Sequence, residues 1–309
     1  MFYVAHRLFA AHDRRLGAMA ATAIAERTSP DKVFLPFCDT DEEDLVADVK
    51  GRRLFDLDCQ RLPQLHGMLA ILHGPSLDDG VCMEIGYAAA LGVPIIILTT
   101  DFQTYGLTET GPELAFADPL IETVATDIVR AHRLGPPTSN TDRFQEFATR
   151  NTTQINDGID RAVTRMLDLA TPGHSKNTTT ATTDTVFVEP SPYGSTATWH
   201  QSVQHHSTET QRRHASRLTA ADPIHAAGAD WNAATSSHTL IADLSGPEAP
   251  PGAALLIGAT IATGGRVLAY CSNTLWTFAH GREPNWRNLM IQYSITERLI
   301  TPDDQDGTR

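Results

Sequence analysis

The chain has 309 residues, of which 41% are hydrophobic and 20% are charged, a composition typical of globular proteins and long enough for two domains. Its formal net charge of −13 argues against binding to nucleic acid or to an anionic membrane surface, because these attract basic faces. No apolar run approaches the roughly 20 residues that span a bilayer, and the N-terminal segment is too polar for a signal peptide. We therefore expect a cytoplasmic protein with a small neutral ligand and no membrane contact.

Short apolar runs alternate with helix-like segments along the first half of the chain. We predict strands at residues 2–4, 33–37, 67–72 and 93–98, and helices at residues 10–26, 54–65, around residue 84, near 121–132 and at 142–169. This alternation indicates a parallel sheet covered on both faces, an α/β fold of the flavodoxin or Rossmann-like type. The Thr-rich residues 171–185 are typical of a linker, so the predicted domains are residues 1–170 and 186–309.

The second half resembles a degenerate copy of the first. When His66 is placed on His238, Asp58 falls on Asp230 without a gap, and the Ile-Gly pairs at 85–86 and 257–258 coincide. A repeat as long as a domain indicates a duplicated fold, so we predict two similar domains that pack as an intrachain pseudo-dimer. The copies differ at one critical position, because Leu256 stands where the first half has Glu84.

Glu84 is a single carboxylate in an otherwise small and apolar segment, Asp-Asp-Gly-Val-Cys-Met-Glu-Ile-Gly-Tyr-Ala, at residues 78–88. Asp78 or Asp79 is placed to cap a helix, and Gly80 lets the backbone approach a ligand. In parallel α/β sheets ligands bind beyond the carboxyl ends of the strands, where such helices begin. A carboxylate at this place can act as a nucleophile that attacks an electrophilic carbon. The alternative is that Glu84 is an ordinary helix residue that faces solvent.

The pattern resembles the nucleoside 2-deoxyribosyltransferase family. The resemblance rests on His-Gly-Pro-Ser-Leu-Asp-Asp-Gly at residues 73–80, Glu-Ile-Gly-Tyr-Ala at 84–88 and Gly-Val-Pro at 92–94. It covers most of residues 1–170 and, more faintly, 186–295. The chain departs from the family at His73, where Asp is usual, and at residues 5–7, where Ala-Gly-Pro is usual.

The resemblance implies a role for each candidate residue. Glu84 would be the nucleophile, Tyr3 would orient it, and Asp58 or Asp78 would transfer a proton. The implied substrate-binding residues are Phe9, Phe37, His73, Asp79, Gly80, Asn288 and Met290, and of these Phe9 and Phe37 would stack on the base. In the family, an Asn-x-Met-Ile segment from a neighbouring subunit completes the active site. Asn-Leu-Met-Ile at residues 288–291 matches this segment, whereas Asp-Pro-Leu-Ile at residues 118–121 of the first half departs from it. We therefore predict one composite site, formed by Glu84 of the first half and Asn288 of the second. The alternative is that Asn288 is a loop residue of a decayed domain that is kept only for stability.

The implied reaction exchanges bases on a 2′-deoxynucleoside donor, with a free nucleobase as acceptor, through a covalent deoxyribosyl-Glu84 intermediate, as in nucleoside salvage. Neither an organic cofactor nor a metal is expected, and no nucleic acid polymer. A hydrolytic nucleoside or nucleotide N-glycosidase and a non-catalytic nucleoside-binding pseudoenzyme remain alternatives, and a homo-oligomer of pseudo-dimers is left open. Trp231, Trp276 and Trp286 are expected to be core or interface anchors.

Overall fold

The computed structural model describes residues 1–40, 50–74, 76–131, 134–138, 141–170, 182–192, 196–272, 276–278 and 284–299. Within these ranges, no helix combines the length and the apolar character that crossing a membrane requires. The described chain forms two five-stranded parallel sheets with helices between the strands, an α/β fold of two domains.

The first sheet has the strand order β2-β1-β3-β4-β5, and all of its pairings are parallel. Its strands are β1 (Phe2–Ala5), β2 (Val33–Phe34), β3 (Gly67–Ile71), β4 (Ile95–Thr99) and β5 (Asp127–Arg130). The accompanying helices are α1 (Ala11–Arg27), α2 (Lys50–Arg61), α3 (Asp79–Ala90), α4 (Pro119–Val124) and α5 (Arg143–Leu169). β3 and β4 are buried along their whole length, as expected for central strands covered on both faces.

The second sheet has the order β7-β6-β8-β9-β10, also entirely parallel. Its strands are β6 (Thr182–Val188), β7 (Arg212–His214), β8 (Ser237–Asp243), β9 (Arg266–Tyr270) and β10 (Glu297–Leu299). Its helices are α6 (Ala197–His206), α7 (Pro223–Ser236), α8 (Pro251–Ala262) and α9 (Leu289–Ser294). Both sheets therefore have the same strand order in sequence. Duplication and pseudo-dimer packing remain predictions that this common order supports.

The element predictions are correct for the central strands and for α1, α3 and α5. The strand predicted at 33–37 is only Val33–Phe34, the helix predicted at 54–65 is α2 at Lys50–Arg61, and one predicted helix is wrong. Residues 121–132 do not form one helix: α4 ends at Val124, and residues 127–130 form the edge strand β5 beside β4. Tertiary pairing with β4 decides this, because an edge strand of four residues has a weak pattern of its own. Of the predicted linker, residues 171–181 lie outside the described residues, and residues 182–185 belong to β6.

The two domains meet through α3 and α8, and one hydrophobic cluster includes residues of both sheets and both helices. A Cβ atom on Gly86 would lie 1.8 Å from the carbonyl oxygen of Leu255, and one on Gly258 would lie 1.9 Å from that of Met83. Real Cβ atoms do not approach backbone so closely. Glycine at both positions therefore allows the two helices to touch backbone to backbone.

We expect Gly86→Ala to destabilise the protein by about 2–3 kcal/mol, because the added methyl group collides with a backbone that can move only by separating the helices. Gly228→Ala is the matched control, since a Cβ there meets nothing within 4 Å, and within α7 it should stabilise by about 0.5–1 kcal/mol. Urea unfolding of both variants measures the difference. Equal midpoints for the two would contradict the proposed contact.

Candidate active site

The N-terminus of α3 lies where ligands bind in this class of fold. β1 and β3 are neighbours, and the chain leaves β1 toward β2 on one side and β3 toward β4 on the other, so a crevice opens at their carboxyl ends. The Asp78 carboxylate accepts a 2.9 Å hydrogen bond from the Val81 amide and caps α3. This cap places Glu84 in the second turn of the helix, beside the crevice.

Glu84 is held by a residue of the first strand. The Tyr3 hydroxyl donates a 2.8 Å hydrogen bond to Oε1 of Glu84, and Tyr3 is fully buried while Glu84 is only 7% exposed. Glu84 is therefore not the solvent-facing helix residue of the alternative interpretation. A hydroxyl that donates to a carboxylate orients it and favours its charged form.

The carboxyl groups around Glu84 have shifted acidities. Burial, reinforced by the charge of Asp58, raises the pKa of Glu84 well above its usual value, and the Tyr3 hydrogen bond only partly opposes this. Burial also raises the pKa of Asp58 to about 7. Because two nearby buried carboxyl groups resist carrying two charges, the pair retains a proton near neutral pH.

The other two acids are tied into contacts around the helix start. Burial raises the pKa of Asp78, whereas the Val81 amide and the Arg7 guanidinium 3.8 Å away favour its charged form. Burial raises the pKa of Asp79 to about 7, and its Oδ2 accepts a 3.1 Å hydrogen bond from the amide of Ala249 in the second domain. Asp79 thus joins the two domains at the edge of the crevice.

A cavity of about 590 Å³ opens at this place, a size typical of small-molecule sites. Its lining from the first domain consists of His6, Arg7, Leu8, Phe9, Pro36, Leu54, Asp58, Asp78, Asp79, Gly80, Val81 and Glu84. The second domain contributes Pro247, Glu248, Thr277, Phe278, Asn285, Trp286, Arg287, Asn288, Leu289 and Met290. The cavity is therefore composite, because both domains contribute to its lining.

Asn288 and Met290 both line the cavity, as the composite site requires. The side-chain Oδ1 of Asn288 accepts a 3.0 Å hydrogen bond from the backbone amide of Met290 and caps α9. A Cβ on Gly80 would lie 2.6 Å from the Asn288 Nδ2, so the amide of Asn288 rests on the glycine at the start of α3. Gly80 is thus needed for close approach of the second domain.

Three of the eleven predicted site residues lie outside the lining. Tyr3 is behind Glu84 and reaches the site through its hydrogen bond. Phe37 packs under the Arg14 guanidinium, 4.9 Å from the ring centre, so the structure does not place it as a base-stacking residue. The His73 Nε2 lies 3.1 Å from Oδ1 of Asp13, so His73 is occupied by the carboxylate of α1.

Sequence reasoning missed several lining residues, mainly in the second domain. Glu248 accepts a 2.7 Å hydrogen bond from the Ser76 hydroxyl. The repeat could have predicted this pair, because Ser76 and Glu248 occupy equivalent positions after the third strand of each sheet. Trp286 lines the cavity, whereas an anchor in the core or interface was expected, and Trp276 is 53% exposed. Phe278 carried no signal in the sequence.

The corresponding region of the second domain is filled. Leu256 is fully buried in α8, and Arg217 is fully buried with its guanidinium between Asp118, Glu189 and Asp230. Asp118 belongs to the first domain and caps α4, and its carboxylate takes two hydrogen bonds from Arg217, of 2.7 and 2.8 Å. In the second domain, the region equivalent to the Glu84 site is therefore occupied by the guanidinium group of Arg217 and the carboxylates around it.

Comparison with known proteins bears on the first half of the chain. Residues 2–124, from β1 to the end of α4, match the family model described as nucleoside 2-deoxyribosyltransferase. No curated protein matches the chain. The family is one of transferases, and the match supports a related function for the domain that carries Glu84. The second sheet, residues 182–299, lies beyond the matched part.

We expect Arg217→Met to cost about 3–5 kcal/mol, because it leaves buried carboxylates from both domains without a cation. The control is Arg266→Met, which breaks the half-exposed pair of Arg266 with Glu297 at 3.3 Å and should cost no more than about 1 kcal/mol. Thermal unfolding at pH 7 compares them. Similar losses in both variants would show that Arg217 is not a special contact.

Proposed function

We propose that the chain is a nucleoside 2-deoxyribosyltransferase that exchanges bases on 2′-deoxynucleosides through a covalent intermediate on Glu84. One observation carries the proposal: a buried carboxylate, oriented by a tyrosine hydroxyl, faces a composite cavity in a domain that matches this family. The donor would be a 2′-deoxynucleoside and the acceptor a free nucleobase. No metal or organic cofactor enters the scheme.

In the first half-reaction a Glu84 oxygen attacks C1′ of the donor while the bond from C1′ to the base nitrogen breaks. The electron pair of that bond leaves with the base, and the transition state has oxocarbenium character. Tyr3 holds Oε1 of Glu84 and leaves Oε2 for the attack. Its hydrogen bond favours the carboxylate over the acid, which offsets part of the effect of burial.

The departing base needs a proton, and Asp58 is the better source of it. In the reactive form of the pair, Glu84 is the carboxylate and Asp58 carries the shared proton, a distribution that the Tyr3 hydrogen bond to Glu84 favours. The pKa of Asp58, about 7, then lets it release the proton at neutral pH without a large penalty. Asp78 is less suited, because its Oδ1 caps α3 and Oδ2 lies near Arg7. In the second half-reaction the nitrogen of the incoming base attacks C1′ and the bond from C1′ to Glu84 breaks, with its electron pair returning to the carboxylate. Asp58 takes up the proton that this nitrogen loses, which restores the starting state of the enzyme.

The charges of the lining favour a neutral substrate. Five carboxyl groups line the cavity, from Asp58, Asp78, Asp79, Glu84 and Glu248, against the guanidinium groups of Arg7 and Arg287. Arg7 donates to the carbonyl of Ser76 and lies near Asp78, and Arg287 donates to the carbonyl of Leu244. A substrate phosphate would therefore meet more acid than base, which supports nucleosides over nucleotides.

We expect Glu84→Gln to lower base exchange at least about a thousand-fold, because the amide cannot act as the nucleophile. Tyr3→Phe should lower it by about 10–100-fold, the value of a hydrogen bond to a charged group. Exchange is measured with thymidine as donor and hypoxanthine as acceptor, and Glu209→Gln at an exposed position is the control. Release of free deoxyribose at an unchanged rate without acceptor would overturn the transferase and favour the hydrolase.

The composite site predicts that Asn288→Asp lowers turnover by about 100-fold while the fold stays intact. Aspartate keeps the cap on α9, because Asn and Asp cap helices equally well, but it loses the amide donor and adds a charge beside the acidic cavity. Asn288→Ser keeps the cap without the charge and separates the two effects. Full turnover in both variants, with unfolding like that of the parent, would reject a role for Asn288 in the site.

A further inference from the structure

Phe278 is an exposed aromatic side chain that lines the cavity. It belongs to the second domain and is 77% exposed, and Phe9 of the first domain lines the same cavity at 61% exposed. A single exposed Phe needs no explanation, but these two border one cavity from different domains, and each adds an aromatic surface to its lining. Such a surface suits a flat, uncharged ring.

Phe278 directly follows a residue whose backbone is hydrogen-bonded to the segment before α9. The preceding residue, Thr277, forms an antiparallel bridge with Asn285, with hydrogen bonds of 2.7 and 3.0 Å in the two directions. The neighbouring Trp286 amide donates to the Gln292 side chain of α9, 3.1 Å away. The position of Phe278 is therefore tied to the helix that Asn288 caps, and the residue is presented at the cavity rather than left on a free end.

The first domain has a corresponding bridge, but no aromatic residue follows it at the position equivalent to Phe278. Tyr105 pairs with Leu114 as Thr277 pairs with Asn285, and the residue that follows Tyr105 is Gly106. The position after the bridge therefore carries an aromatic side chain beside the cavity with Glu84 and no side chain in the first domain. The region that corresponds to this cavity in the second domain contains Leu256 and the buried Arg217. Phe278 thus accompanies the open cavity with Glu84, whereas its counterpart Gly106 accompanies the filled region with Leu256 and Arg217.

We propose that Phe278 binds the nucleobase by stacking and sets the preference for ring size. Resting on the proposed function, this inference makes the second domain a source of base recognition and replaces Phe37, which packs against Arg14 instead. Stacking on an aromatic side chain contributes about 1–3 kcal/mol per base, and a larger ring covers more of the face. Purines should therefore depend on Phe278 more than pyrimidines do.

The test measures binding of hypoxanthine and of thymine to the full chain by titration calorimetry. Phe278→Ala should raise the Kd for hypoxanthine about 10-fold and that for thymine less, since about 1.4 kcal/mol corresponds to a factor of ten. Phe278→Trp keeps an aromatic ring at this position and should leave the Kd for both bases close to that of the parent. The matched control is Trp276→Ala, an exposed aromatic residue two positions away and outside the lining of the cavity, which should leave both constants unchanged.

Equal constants for Phe278→Ala and Trp276→Ala, or an intact chain that binds neither base, would overturn the inference. Base exchange that depends on Glu84, measured in the same preparations, reports separately on the proposed function. Exchange with unaltered base binding in Phe278→Ala rejects only the stacking role. Base binding that needs Phe278, without any exchange, supports the stacking role and rejects the transferase.

Discussion

Backbone meets backbone where α3 crosses α8, at Gly86 and Gly258. The rest of the site depends on this contact, because the distance between the helices sets how far each domain reaches into the other. Met83, whose carbonyl oxygen faces Gly258, directly precedes Glu84 in the chain. The same approach brings Asn288 onto Gly80 and the Ala249 amide onto Asp79. A wider crossing would separate the carboxylate from the residues of the second domain that border its cavity.

Buried charge is treated differently in the two halves. In the first, Glu84 and Asp58 remain beside a cavity with raised pKa values, a costly arrangement that is typical of sites where a carboxyl group has chemistry to perform. In the second, Leu256 removes the counterpart of Glu84, and Arg217 neutralises the remaining acids through contacts that cross the domain boundary. Both arrangements reflect the same physical cost, because an unpaired buried carboxylate is unfavourable. It persists where it has a function, as proposed for Glu84, or where a cation neutralises it, as Arg217 does.

The two domains divide the proposed reaction between them. The carboxyl groups and the tyrosine that would act on the sugar lie on β1, α2 and α3 of the first domain. Aromatic and amide groups suited to a base come largely from the second domain, in Phe278, Trp286 and Asn288. In this proposal, base preference can change through Phe278 without loss of the hydrogen bond that orients the nucleophile, because Tyr3 and Glu84 both belong to the first domain.

The sequence by itself determined the parallel α/β architecture, a cap at Asp78 or Asp79 and Glu84 as the candidate nucleophile, since each depends on neighbouring residues whose pattern is local. The structure shows that Asp78 is the cap. The repeat also pointed to Asn288, and the structure places it on the cavity with Glu84. Only the tertiary structure decided that Phe37 and His73 turn to Arg14 and Asp13, that residues 127–130 pair with β4, and that Phe278 and Glu248 border the site. These depend on contacts between distant segments, and a contact of that kind leaves no periodic trace in either segment.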